Sequence, residues 1–367
     1  MRVLILSANT GGGHNSSAAA LSEYFEKAGV RSETVDALRL ISEKASDFIS
    51  KGHSYVYRKL PRLFGLGYRF EEKHSSHFIY AQCAKGADAL QQKLERDRYD
   101  AVVCVHVFAG MMMTELRKRY GARLPAFFVA TDYTCSPGVS ALDADGFFIP
   151  HRMLLGEFIR SGISADKLFA TGIPVRRSFY ENEDRVLMRR ALKLPERSKV
   201  VLFCCGSMGC GNIEQTARLL SKSLPKGAVL VVICGNNQKA YEELIAAPCD
   251  NIRTVGFTEH MSFYMSSADL YVTKPGGLTT TEAIVKRLPM VIFDAVPGLE
   301  SRNFHFLITS GVAVGVKSKR QMVTTLQSVL EDDMGTERQL RAMEEFQAGN
   351  AAEQICRHVM GVCAAQE

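Results

Sequence analysis

The sequence predicts an α/β protein built as two Rossmann-like domains in tandem, with a cleft between them. Three observations carry this. Short β-branched runs recur along the chain and are apolar throughout, as strands buried on both faces of a parallel sheet require. Segments of helical period lie between them, often opened by a glycine turn. The alternation comes in two series, with a break between Pro150 and Val200. The length of 367 residues agrees, at roughly 150 residues per domain.

The first apolar run covers 3–8 and leads into a glycine turn, so it reads as a strand and not as a signal peptide. The segment 15–28 follows. There Ala18, Leu21, Phe25 and Ala28 share one helical face, and Gly29 suits a C-terminal cap. Further strands are expected at 101–106, 125–130 and 146–150. The second series falls at 200–205, 228–234, 252–257, 269–273, 290–293 and 312–316. The stretch Thr171-Gly-Ile-Pro-Val-Arg-Arg177 reads as the linker. The expected division is a first domain over 1–172 and a second over 178–350. A last helix over 351–367 is expected to pack back on the first domain.

Composition excludes several classes. Charged residues make up 23% and the hydrophobic set 46%, which is ordinary for a globular chain and not for a disordered one. No apolar run approaches the ~18–20 residues needed to cross a bilayer. Net charge is +6, spread evenly between the two halves, too weak by itself to indicate nucleic acid. Ten cysteines occur without CxxC spacing, mostly in strand-like runs, and read as buried reduced thiols rather than disulfides or a metal site. Residues 51–73 break the pattern: six basic residues are interleaved with Tyr55, Tyr57, Phe64, Tyr68 and Phe70. This mixture suits an anionic membrane surface, or an ordinary solvated helix with its aromatics turned inward.

Four motifs follow strands, where open α/β sheets bind ligands. Thr10-Gly11-Gly12-Gly13-His14 opens the first long helix. Its glycines admit close approach to the backbone, and the helix start attracts anions, although the spacing is neither a dinucleotide fingerprint nor a P-loop. His14 reads either as a base working near neutral pH or as a helix cap. Cys205-Gly206-Ser207-Met208-Gly209 is a Gly-Ser turn that suits phosphate. Thr273-Lys274-Pro275-Gly276-Gly277-Leu278-Thr279, with Glu282 one turn later, suits a pyrophosphate and a ribose. In Pro297-Gly298-Leu299-Glu300-Ser301-Arg302-Asn303, the i, i+3 pair Glu300 and Asn303 shares a face and suits sugar hydroxyls. The plain alternative for each is an ordinary βα turn.

Taken together and in order, GGGH, TGIPVR at the linker, VGF at 255–257, TKPGGLT with Glu282, and PGxE with Asn303 resemble one family. It is the monogalactosyldiacylglycerol synthase and processive diacylglycerol glucosyltransferase family, of GT-B fold. The resemblance runs from residue 1 to about 316. It implies inverting transfer of a hexose from a UDP-sugar, UDP-glucose or UDP-galactose, to diacylglycerol or a glycosyl-diacylglycerol, with no bound metal or other cofactor and no nucleic-acid partner. Carried over, it implies that Gly256 and Phe257 flank uracil and that Gly276, Gly277 and Thr279 hold phosphates. Glu282 takes ribose, and Gly298, Glu300 and Asn303 lie at the sugar. Lys274 with Pro275 belongs to the same donor loop, and Gly12, Gly13, Gly206 and Ser207 are further backbone sites. His14, His106 and Asp132 become the candidates for the base. The resemblance also favours lipid contact at 51–73, and with it a cytoplasmic protein peripheral on the inner face of the cell membrane. Leu299 stands where the family often has Gln, which leaves the donor sugar open. Alternatives of the same layout are a transferase acting on another lipid or a soluble acceptor, a UDP-sugar epimerase, and a non-catalytic UDP-sugar-binding protein.

Overall fold

The computed structural model describes residues 1–9, 11–42, 77–293 and 295–365. The expected membrane-contact stretch 51–73 lies outside the described residues. The chain forms two compact units. The first holds Met1–Arg177, Val296–Leu299 and Ala348–Glu367, and the second holds Ser178–Ala295 and Glu300–Gln347.

The first unit contains strands β1 (Arg2–Ser7), β2 (Arg31–Asp36), β3 (Ala101–Cys104), β4 (Ala126–Val129), β5 (Gly146–Phe148) and β6 (Leu168–Phe169). All pair in parallel, in the order β2-β1-β3-β4-β5-β6. Its helices are α1 (Gly12–Lys27), α2 (Ala37–Ile41), α3 (His77–Ala84), α4 (Ala87–Asp97), α5 (Val107–Tyr120) and α6 (Leu155–Arg160).

The second unit contains β7 (Val200–Cys204), β8 (Val229–Ile233), β9 (Ile252–Val255), β10 (Leu270–Thr273), β11 (Met290–Phe293) and β12 (Val314–Val316). They are again all parallel, in the order β12-β11-β10-β7-β8-β9. Helices α7 (Arg185–Ala191), α8 (Ile213–Ser223), α9 (Gln238–Ala246), α10 (Met261–Ser267), α11 (Gly277–Val285), α12 (Leu299–Thr309), α13 (Lys319–Glu331) and α14 (Asp333–Phe346) connect them, with α12 beginning at the boundary between the units. The last helix, α15 (Ala351–Ala364), belongs to the first unit.

All ten apolar runs contain a strand. Two strands were not among them. β2 reads RSETVD with no fully buried position, and β6 has two residues. Both lie at the edges of their sheet, where one neighbour and partial solvent contact relax the demand for an apolar sequence.

Each core is one sheet face closed by helices. In the first unit Val3, Ile5, Val103 and Val129 pack with Ala18, Leu21 and Phe25 of α1 and with Ala352, Ile355 and Val359 of α15. Full burial of side chains such as Ile355 and Val359 is worth ~1.5–3 kcal/mol each. Met111, Met112 and Met113 are all buried, although three consecutive residues cannot share one helical face. The reason is that α5 is enclosed by α2, α3, α4, β3 and β4. Met112 packs so closely on Gly86 that a methyl group there would overlap its Cε. Among the described residues no helix is long and apolar enough to cross a membrane, and no disulfide joins any of the ten cysteines.

His358 anchors α15 to the sheet. Its ring lies 4.1 Å from that of Phe169, with Phe148 and Phe127 edge-on at 5.4 and 5.8 Å. Burial pulls its pKa below the ordinary 6.5. As pH falls through 6.5, the unfolded chain takes up a proton that the folded chain refuses, so stability is lost between the ordinary value and the lower folded one. The melting temperature of the wild type should therefore fall more steeply than that of His358→Phe as pH drops through this window. Equal slopes for the two proteins would show that the ring titrates as it does in water.

Candidate active site

In each sheet the strand order reverses direction once, and the crevice at the carboxyl ends of the two strands flanking that point is the expected ligand site. In the first unit the reversal lies between β1 and β3. The turn after β1 starts α1 at Gly12, with Gly11 as N-cap, no capping side chain and no acid in the first turn. Gly12 and Gly13 thus form the opening turn of the helix, and His14 follows them, half-buried.

His14 reaches across to the neighbouring strands. Its Nδ1 lies 3.0 Å from the Val105 carbonyl, after β3, and 3.1 Å from Thr131 Oγ1, after β4. A carbonyl only accepts, so Nδ1 carries the proton and donates to Val105. The neutral ring then has its lone pair on Nε2, the form a base requires. His106 is set the opposite way. Its Nδ1 accepts the Phe108 N–H at 3.1 Å and caps α5, which puts the proton of the neutral ring on Nε2. The two rings meet edge to face at 4.5 Å. Capping of α5 is thus the work of His106, whereas Nδ1 of His14 turns to the neighbouring strand ends.

Asp132 is half-buried in the turn after β4, beside Thr131. Glu157 of α6 braces this turn: its Oε1 accepts from Cys135 N at 2.8 Å and from the Thr134 hydroxyl. Neither Thr131 nor Glu157 is among the residues that the motifs single out. Thr131 directly precedes Asp132 at the end of an apolar run, and that position was the available signal. Glu157 had none, because its partner is a turn more than twenty residues away.

In the second unit the reversal lies between β7 and β10. Gly206 and Ser207 follow β7. Their loop is built against the turn after β8: Asn237 Nδ2 donates to the Gly209 carbonyl and Asn236 N to the Ser207 carbonyl, both at 2.8 Å. Gly209 has φ 58°, and a Cβ there would come within 2.1 Å of the Cys234 carbonyl, so glycine is obligatory.

Gly276 is different. Its φ of −73° suits any residue, and a Cβ there would meet nothing within 4 Å. Neither strain nor packing asks for glycine at this position, and its absence of side chain leaves open room before the start of α11. That helix start has no capping side chain and no acid in its first turn, so its N–H groups present a positive end. The hydroxyls of Thr280 and Thr281 bond back to the helix, at 2.7 Å to the Gly276 and Gly277 carbonyls respectively. Thr279 is half-buried and makes no hydrogen bond among the described residues.

Around this loop the buried charged and amide groups concentrate. Lys274, Glu282 and Glu300 are buried, and Asn303 is 0% exposed. Such groups are rarely buried without a specific task. Asn303 donates from Nδ2 to the Pro275 carbonyl at 3.0 Å and so fastens α12 to the glycine loop. Gly298 precedes α12. Gly256 and Phe257 follow β9, at the sheet edge, with Phe257 58% exposed.

Two all-parallel sheets of this kind, each with flanking helices, define a GT-B protein. MurG from Acinetobacter baumannii has this fold, with a TM-score of 0.65 and 16% identity over 98% of this chain and 99% of that one. So does UDP-GlcNAc 2-epimerase from Neisseria meningitidis, solved bound to UDP-GlcNAc, with a TM-score of 0.63 and 15% identity over 98% and 100% of the two chains. The fold therefore does not separate transferases from epimerases. The sequence does. Residues 14–175 match the monogalactosyldiacylglycerol synthase family and residues 200–359 the C-terminal domain of glycosyltransferase family 28. A processive diacylglycerol beta-glucosyltransferase of Bacillus licheniformis is 26% identical over 370 residues, covering 98% of this chain and 94% of that protein. The chain is thus similar in its first part to monogalactosyldiacylglycerol synthases, in its second to family 28 glycosyltransferases, and over nearly its whole length to processive diacylglycerol glucosyltransferases. The resemblance read from the motifs and the GT-B fold it implied are borne out.

The opposed settings of the two histidines are directly measurable. In two-bond ¹H–¹⁵N spectra at alkaline pH, His14 should show the Nδ1–H tautomer and His106 the Nε2–H tautomer. The same tautomer at both would contradict the geometry.

Proposed function

We propose that the protein transfers a hexose from a UDP-sugar to the hydroxyl of diacylglycerol, or of a glycosyl-diacylglycerol, with inversion at the sugar carbon. The observation that carries the mechanism is the His14 ring, fixed by Val105 and Thr131 with its lone pair on Nε2. A lipid hydroxyl is a poor nucleophile at neutral pH. His14 Nε2 takes its proton as the oxygen bonds to the sugar carbon, and the electron pair of the breaking carbon–oxygen bond leaves with UDP. Thr131 and the Val105 carbonyl hold the ring and share the positive charge it acquires. His106 lies beside it and Asp132 follows Thr131 in the chain, and in this reading they position rather than accept.

The second unit binds the donor along the carboxyl ends of β10, β7, β8 and β9. Gly276, Gly277 and Thr279 meet the phosphates at the start of α11, where the helix end and Lys274 offset the charge of the departing UDP. Glu282 takes the ribose hydroxyls, Gly256 and Phe257 flank the base, and Gly206 and Ser207 close the phosphate side. Glu300 holds the sugar, on a helix that Asn303 and Gly298 set in place. Leu299 offers no hydrogen bond to the sugar, and glucose and galactose both fit this reading. The family of lipid transferases and the sequence of residues 51–73 support a peripheral protein on the inner face of the membrane.

Incubation with a panel of UDP-sugars and diacylglycerol, with products read by mass spectrometry, tests the reaction. A hexosyl-diacylglycerol is expected, and epimerised UDP-sugar without lipid product would replace it with the epimerase reading. The two units should also separate in variants. His14→Ala should lower turnover ~10²–10⁴-fold with UDP affinity nearly unchanged. Glu282→Ala should weaken UDP about tenfold or more, as loss of a charged hydrogen bond at ~1.5–3 kcal/mol implies. If His14→Ala keeps its turnover while Asp132→Asn abolishes it, the base is Asp132.

For residues 51–73, flotation with liposomes should rise with anionic lipid and fall with salt. Charge reversal of Arg58, Lys59, Arg62 and Arg69 should weaken it, and unchanged flotation would remove this segment from the interface.

A further inference from the structure

A second surface of the first unit has the chemistry of a lipid contact, and it lies on α6 and the 3-10 turn before it, Arg152–Leu154. Inward, Leu154 and Phe158 are buried. Outward, Met153 is 60% exposed and Ile159 45%. Arg152, Gly156 and Arg160 are exposed with them. The spacing 152, 153, 156, 159, 160 places all five on one face of the continuous turn. The guanidinium of Arg160 lies over Gly156, where a Cβ would be 3.2 Å from Nη1.

Charge distinguishes this face from another helix with exposed apolar residues. On α7, Val186 and Leu187 are also exposed, but Arg185 bonds Asp269 and Arg190 bonds Glu196. Among the described residues neither Arg152 nor Arg160 has a carboxylate partner. The one acid of the segment, Glu157, is turned inward to Cys135 N and the Thr134 hydroxyl. The next acid along the chain, Asp166, accepts from Ser164. The face is thus apolar and positive at once, and its charge complements an anionic bilayer surface.

We propose that the outward face of residues 152–160 docks on the surface of an anionic bilayer, with Met153 and Ile159 entering the interface and Arg152 and Arg160 meeting lipid phosphates. The proposal rests on the reading of the acceptor as a membrane lipid. Glu157 gives the contact its use: the helix that touches the bilayer braces the turn carrying Thr131 and Asp132. Docking and the acceptor end of the site are therefore held by one carboxylate.

The test compares the full-length wild type, Met153→Glu/Ile159→Glu and Arg152→Gln/Arg160→Gln. Each is measured for partition onto vesicles of phosphatidylglycerol and phosphatidylcholine, and for transfer to a short-chain diacylglycerol dissolved as monomer. The apolar variant should lose about tenfold or more in partition. The arginine variant should lose about fivefold per charge on anionic vesicles, and little on neutral ones. Transfer to the monomeric acceptor and the melting temperature should stay as in the wild type. Unchanged partition in both variants would overturn the proposal. So would a wild-type dimer that becomes monomeric in the apolar variant by light scattering, because a second copy would then cover the face. If the wild type partitions as expected but glycosylates no diacylglycerol in either form, the functional reading fails and the docking surface stands.

Discussion

Parallel pairing is the constraint on which the rest of this structure depends. Twelve strands run the same way within their sheets, so every strand-to-helix turn of a sheet is delivered to one edge. His14, Val105, His106, Thr131 and Asp132 come from three separate stretches of chain, yet they follow the adjacent strands β1, β3 and β4. The glycine loops after β7 and β10 are neighbours for the same reason. No individual turn has to find the site, because the sheet brings them all to it.

The opposite edge uses its charges differently. Asp269 accepts from Val200 N and from buried Arg189 at the starts of β7 and β10. In the first unit Glu33 gathers Arg2, Lys93 and the Tyr99 hydroxyl. These groups are satisfied by one another and hold strand starts in register. At the carboxyl edge, by contrast, the starts of α1 and α11 carry no capping side chain and Gly276 faces open room. The division between scaffold and site thus follows the direction of the strands.

That division explains what the sequence revealed. Central strands must be apolar on both faces, so their runs stand out, whereas the polar edge strand β2 did not. The glycine loops were legible because glycine marks turns. The motif order also identified the family, which no single loop does. What stayed hidden depends on pairing across the sheet. His14 and His106 look alike as isolated histidines after strands, and only the Val105 carbonyl and the Phe108 N–H set them in opposite tautomers. The spacing of Asn303 from Glu300 was legible, but not the bond from its amide nitrogen to the Pro275 carbonyl. Three consecutive methionines on α5 cannot share one helical face, and only the packing on every side shows that all three are core.

The return of α15 to the first unit has a consequence for synthesis. Residues 178–347 are, in effect, inserted into the first domain, whose hydrophobic face is closed by Ile355, Cys356 and Val359. A ribosome has therefore released the whole second domain before the first can complete its core. Until then the nascent first domain carries an uncovered apolar face over α1 and β3, and it must be kept from its neighbours for most of the time the chain takes to emerge.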